Sequence, residues 1–231
     1  MKHKTLKTVG KTTNNTDIEM LPVFPFDKPS RLQVKETVFN TYDYKLFGEI
    51  TEVDDYFDLI DALNYASHDD EFIIRIHSGG GLLGTADVII NAIQNTQARV
   101  HGHIESLCGS AATIIFLNCH SYSISPRSEF FVHTASSGTI GKEHENYASI
   151  MFDRKRVHKM IRDAYEGLLT DQEIDNVLKG QDYYFDADEL GERLENFTEF
   201  QQKKFEADLE AFQKEQEDGL TKKPKKKILP S

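Results

Sequence analysis

The sequence predicts an α/β layered domain with parallel strand pairing, and three observations carry that expectation. Strand-like and helix-like stretches alternate between residues 44 and 117, the order in which parallel strands are joined through helices. The apolar run 72–76 leads into Ser78-Gly79-Gly80-Gly81 and then into a helical pattern. The same strand–turn–helix order recurs in 98–117, around the small residues Cys108-Gly109-Ser110-Ala111-Ala112.

Taken in order, residues 1–30 form a flexible N-terminal arm or propeptide. The first part is basic and poor in large apolar groups, and Leu21-Pro22-Val23-Phe24-Pro25-Phe26 carries prolines that forbid a central strand. A globular domain spans 31–196. Residues 44–50 read as a strand, and 54–66 as a helix with apolar residues at Tyr56, Phe57, Ile60, Leu63 and Tyr65. Residues 72–76 are a buried strand, 82–96 a helix, 98–104 a strand and 110–117 a helix. Two short strands follow at 121–125 and 130–133. Residues 142–169 read as a long polar helix with too few apolar positions for a core helix, so it projects toward a partner. Thr170-Asp171-Gln172-Glu173 is a capping box opening another helix. Residues 183–185 are extended and 186–194 a short helix. Residues 197–231 then form a separate amphipathic charged helix, with Phe197, Phe200, Phe205, Leu209 and Phe212 on its apolar face, and a lysine-rich tail.

Composition narrows the function. The chain has 231 residues, 39% hydrophobic and 28% charged, enough for one sizeable core. A formal net charge of −11 opposes nucleic acid as the main partner, although five lysines lie between Lys222 and Lys227. Two cysteines make no disulfide framework and suit a reducing, cytoplasmic setting. No stretch resembles a secretory signal or a membrane span.

Three constellations could carry chemistry. Gly79-Gly80-Gly81-Leu82-Leu83-Gly84 fits the G-x-G-x-x-G fingerprint, with Glu105 as an acid 21 residues on. Gly84 already falls inside the helix and no second mononucleotide-binding unit follows. His101, His103 and Glu105 share a strand face but lack a ligand from a second element, so no metal site is expected. Gly138-Thr139-Ile140-Gly141-Lys142-Glu143 is too short for a nucleotide-binding P-loop. The third set is Ser110, His133 and Asp182. Ser110 opens a helix, where free N–H groups stabilise negative charge, and all three lie at element ends. A serine nucleophile, a histidine base and an acid to orient it are what acyl transfer requires.

Four motifs in order resemble the ClpP family, the proteolytic subunits of Clp proteases. They are Ile76-His-Ser-Gly-Gly80-Gly81, Leu107-Cys-Gly-Ser110-Ala-Ala, Pro126-Arg-Ser-Glu-Phe-Phe-Val-His133, and Gly180-Gln-Asp182-Tyr-Tyr-Phe185-Asp-Ala187 with Glu189-Leu-Gly191. Gly79 stands where the family carries proline and Ser106 where glycine is usual, departures that fit divergent bacteriophage members.

The resemblance implies a ClpP/crotonase-like layered fold with a protruding strand-plus-helix handle at about 134–169. It implies a serine endopeptidase with Ser110 as nucleophile, His133 as general base and Asp182 as its orienting partner. The backbone N–H groups of Gly80 and Ala111 would form the oxyanion hole, and Gly79, Gly81 and Thr134 would bind a polypeptide substrate. Such chemistry uses no cofactor. The implied assembly is a homo-oligomer of heptameric rings stacked in pairs, served by an AAA+ unfoldase or working on a phage capsid scaffold, with no membrane partner. The rival readings are a noncatalytic crotonase-like assembly module and a dinucleotide-binding enzyme.

Overall fold

A computed structural model describes residues 39–134 and 143–221. The expected 1–30 arm, part of the handle strand and the lysine-rich tail lie outside the described residues.

Within them, β1 (Thr41–Phe47), β2 (Glu71–Ser78), β3 (Arg99–Gly109), β4 (Ser121–Ile124), β5 (Glu129–Val132) and β6 (Tyr183–Phe185) form one sheet. Its order is β1-β2-β3-β5-β6, with β4 also paired to β3. All pairings are parallel except β5 with β6. The expected parallel α/β layering is what the chain adopts. Strand β3 runs to Gly109, longer than the expected 98–104, because its two halves serve different neighbours. His101–Ile104 pair with β4, and Leu107–Gly109 pair with β5. Between them the register against β2 slips from Ile76↔Ile104 to Ser78↔Cys108. Such an irregularity re-aims the strand end, here the segment leading to Ser110.

The two sheet faces differ as strand alternation requires. Phe72, Ile74 and Ile76 of β2 and Val100 and Ile104 of β3 are buried, against α1 (Phe57–Tyr65), α2 (Leu83–Asn95) and α3 (Ala111–Leu117). The opposite face is polar. Arg75 bridges Asp43 and Glu105 at 3.0 Å each. His101 hydrogen-bonds the Ser121 and Ser123 hydroxyls at 2.8 and 2.7 Å, and His103 the Ser123 hydroxyl at 2.7 Å. These histidine nitrogens are therefore engaged by serines.

The expected 54–66 helix begins as a 3₁₀ turn, Val53–Tyr56, before α1. The long helix α4 (Glu143–Tyr165) is less detached than its sparse apolar pattern suggests. Ile161 and Tyr165 are buried in the domain core, whereas Ile150, Met151 and Phe152 are exposed. The capping box of α5 (Asp171–Leu178) forms as expected, with Thr170 and Glu173 bonding reciprocally. Glu173 also takes two hydrogen bonds from Arg193 at 2.9 and 3.1 Å. That guanidinium holds the Glu173 carboxyl below its usual range.

The expected break before residue 197 is absent. One helix, α6 (Ala187–Thr221), is continuous through both segments. Phe197 is buried against the domain, while Phe205, Leu209 and Phe212 are exposed. Good helix formers with no glycine or proline between Glu192 and Glu217 give the backbone no reason to stop.

The N-terminal edge of β1 is fixed by Asp70. Its carboxylate accepts from Asn40 N at 2.7 Å, Ser67 N at 2.8 Å and the Ser67 hydroxyl at 2.9 Å. The Ser67 and Asn40 N–H groups hold its pKa down to about 2. A folded value below the unfolded value of about 3.9 means stabilisation that is full above about pH 4 and lost as pH falls toward 2. Thermal melts between pH 5 and 2 should show a steeper fall in Tm for the wild type than for Asp70→Asn. Equal slopes would show that this carboxylate is not linked to folding.

Candidate active site

Ser110 is the junction of β3 and α3, and its backbone is unusual. At φ 53° and ψ −125° it is the only described non-glycine residue with positive φ. Such a conformation costs of order 1–3 kcal/mol and persists only when its surroundings fix it. Three hydrogen bonds do so. Ser110 N–H donates to Phe131 C=O at 3.1 Å, extending the β3–β5 pairing one residue. Its own carbonyl accepts from Thr113 N–H at 3.0 Å and from the Thr113 hydroxyl at 2.5 Å. The Ser110 side chain makes no capping hydrogen bond to α3. The hydroxyl is thus not used as a helix cap, the ordinary employment of a serine at this position.

Close packing explains the small residues around it. A Cβ on Gly80, whose φ is +101°, would lie 2.6 Å from Ser110 Cβ and 2.9 Å from Ala111 N. The glycine turn after β2 therefore presses its backbone onto the Ser110 turn. A Cβ on Gly109 would overlap the Phe131 ring.

A cavity of about 550 Å³ opens at this contact. Gly79, Gly80, Gly81, Leu82, Leu83, Glu49, Ser110 and His133 line it. Ser110 and His133, 23 residues apart, are brought together because β5 pairs beside the end of β3 and His133 follows β5 directly. Asp182 is placed differently. It is exposed, precedes β6 and stands one position beyond the antiparallel pair Val132↔Tyr183, across from His133. It does not line the cavity, and among the described residues no hydrogen bond joins it to His133, or His133 to Ser110. Thr134 is half-buried next to His133, outside the lining.

One expected donor is engaged elsewhere. Gly80 N–H donates to the Ser78 hydroxyl at 3.1 Å, closing a tight local turn. Gly81 lies in the cavity wall, and no acceptor for its N–H occurs among the described residues. Ala111 N–H likewise opens α3 without an intrahelical partner.

Neither cysteine competes as nucleophile. Burial pushes the Cys108 thiol far up and Cys119 to about 12, so both stay protonated near neutrality. The residues that sequence reasoning missed are Leu82, Leu83 and Glu49 of the cavity wall, and Thr113 and Tyr165 behind the serine. A helix position three residues after Ser110 could have pointed to Thr113. Tyr165 is 52 residues from Thr113 and carries no local signal.

In comparison with known proteins, the chain matches the family model described as Clp protease over residues 34–192. Among solved structures 367 chains match. One of them, a ClpP1 mutant from Listeria monocytogenes, aligns with a TM-score of 0.53 and 20% identity over 67% of this chain and 87% of that one. At that identity the likeness establishes a shared fold. No curated protein matches the sequence.

Two outcomes are expected. Gly80→Ala should lower stability by about 1–3 kcal/mol in a denaturant titration, since both the strained φ and the contact with Ser110 forbid a side chain. Native Cys108 and Cys119 should resist iodoacetamide near neutral pH and react only on unfolding, read by intact mass.

Proposed function

The chain belongs to the Clp protease family, and on that footing we propose that it is a serine-type endopeptidase. The observation that carries this reading is Ser110: a strained backbone, a hydroxyl free of capping, and a cavity shared with His133. In the proposed reaction a polypeptide lies along the Gly79–Gly81 turn. Ser110 Oγ attacks the scissile carbonyl carbon while His133 takes its proton. The tetrahedral oxyanion accepts hydrogen bonds from Ala111 N–H and from Gly81 N–H, which replaces the engaged Gly80 N–H. His133 then protonates the leaving amine, and an acyl ester on Ser110 remains. Water, deprotonated by His133, attacks the ester, and the acid product leaves as Ser110 recovers its proton. Oxyanion donors of this kind are each worth about 10²–10³ in rate. Catalytic hydrogen bonds that are open in a free enzyme tighten around substrate.

Asp182 is the proposed orienting acid, supported by its cross-strand position beside His133. A fluorophosphonate probe should label Ser110, and His133→Ala should abolish labelling. Asp182→Asn should lower kcat by up to about 10⁴ with little change in KM, as expected when a histidine loses its tautomer partner. An unlabelled assembled protein that cuts no peptide would favour the noncatalytic assembly module. Full activity in Asp182→Asn would leave a Ser110–His133 dyad.

Assembly into rings that enclose the sites is the second part of the proposal. Ile150, Met151 and Phe152 of α4 support it, being 42%, 47% and 69% exposed. Exposed apolar residues grouped on one helix turn suit a subunit contact. Double substitution Met151→Glu/Phe152→Glu should reduce particle mass in light scattering, and an unchanged mass would remove α4 from the interface. The part of α6 beyond residue 192 lies outside the family match. Its charge and exposed phenylalanines favour a tethered role, such as phage capsid maturation, over service to an AAA+ unfoldase.

A further inference from the structure

The Ser110 carbonyl belongs to a buried chain of hydrogen bonds that reaches a different element. The Thr113 hydroxyl gives its proton to Ser110 C=O at 2.5 Å, so its oxygen is left to accept, and the Tyr165 hydroxyl lies 2.5 Å from it. Proton counting fixes the direction: Tyr165 O–H donates to Thr113 Oγ, and Thr113 O–H donates to Ser110 C=O. Thr113 is 0% and Tyr165 1% exposed, so water does not compete for either hydroxyl. Tyr165 is the last residue of α4, and the remainder of that helix has no such bond to α3 or β3 among the described residues.

We propose that Thr113 and Tyr165 are positioning residues for Ser110, through which the end of α4 holds the strained nucleophile turn in its reactive conformation. The inference rests on the peptidase reading above and adds a control point to it. Ser110 C=O and Ala111 N–H belong to one planar peptide unit, so whatever fixes the carbonyl direction also fixes that N–H. The carbonyl is gripped by a hydroxyl that is itself held from α4. Burial raises the Tyr165 pKa above its ordinary value, so the donor stays protonated over the working pH range. Displacing the last turn of α4 therefore frees the Thr113 hydroxyl to rotate off the Ser110 carbonyl, leaving the Thr113 N–H as its remaining donor, without touching His133.

The test uses Tyr165→Phe, Thr113→Val and Thr113→Ser in the full chain. Fluorophosphonate acylation of Ser110, kcat and KM for a quenched fluorogenic peptide, and Tm are measured for each. Tyr165→Phe and Thr113→Val should each slow acylation and lower kcat by about ten- to a hundredfold, the usual cost of a misplaced reacting atom, with KM unchanged. Their combination should lose no more than the larger single effect, since both break one chain. Thr113→Ser, which keeps the hydroxyl, should restore most of the rate. Variants that lose Tm while acylating at the wild-type rate would overturn the inference and leave the peptidase reading intact. Failure of the wild type to be labelled at Ser110 would remove both.

Discussion

The structure depends on holding one residue in a conformation it would not adopt alone. Ser110 sits at positive φ because three hydrogen bonds agree on where its peptide groups point: Phe131 on β5 accepts its N–H, and Thr113 supplies two donors to its carbonyl. A strain of order 1–3 kcal/mol is small beside the buried surface around it. Phe116, Phe130 and Phe185 form a connected aromatic run from α3 through β5 to β6, with centroids 6.2 and 6.3 Å apart. Each such side chain contributes about 1.5–3 kcal/mol by leaving water. The core therefore stabilises the geometry that the Ser110 turn by itself opposes.

The register slip in β3 is the second half of that arrangement. A strand in perfect register would carry its polar face, with His103 and Glu105, straight on toward Ser110. The shift between Ile76↔Ile104 and Ser78↔Cys108 lets β3 change partners from β4 to β5. It also aligns the glycine turn after β2 with the start of α3. The cavity arises at that contact, and the same contact explains why Gly80 tolerates no side chain.

Charge and burial divide the chemistry cleanly. The polar sheet face satisfies its groups internally, with Arg75 between two carboxylates and two histidines on serine hydroxyls. The two thiols are buried and protonated. Ser110 and His133 line one cavity, and among the described residues neither side chain makes a hydrogen bond, which is the condition for general-base activation of a hydroxyl.

Much was legible from residues alone. The apolar strand 72–76, the strand opening at 98, the small residues at 108–112 and the Thr170–Glu173 capping box are local patterns whose physics acts within a few residues. The glycine run was readable as a turn, and its false likeness to a phosphate-binding loop fell to the helix swallowing Gly84. Tertiary structure decided the rest, because it depends on contacts that sequence spacing does not encode. Only pairing of β5 beside the end of β3 puts His133 in the Ser110 cavity, and only the Ser78 hydroxyl shows that Gly80 N–H is engaged. The bond from Tyr165 to Thr113 joins residues 52 apart, a link that exists because α4 folds back on α3 and buries both hydroxyls together.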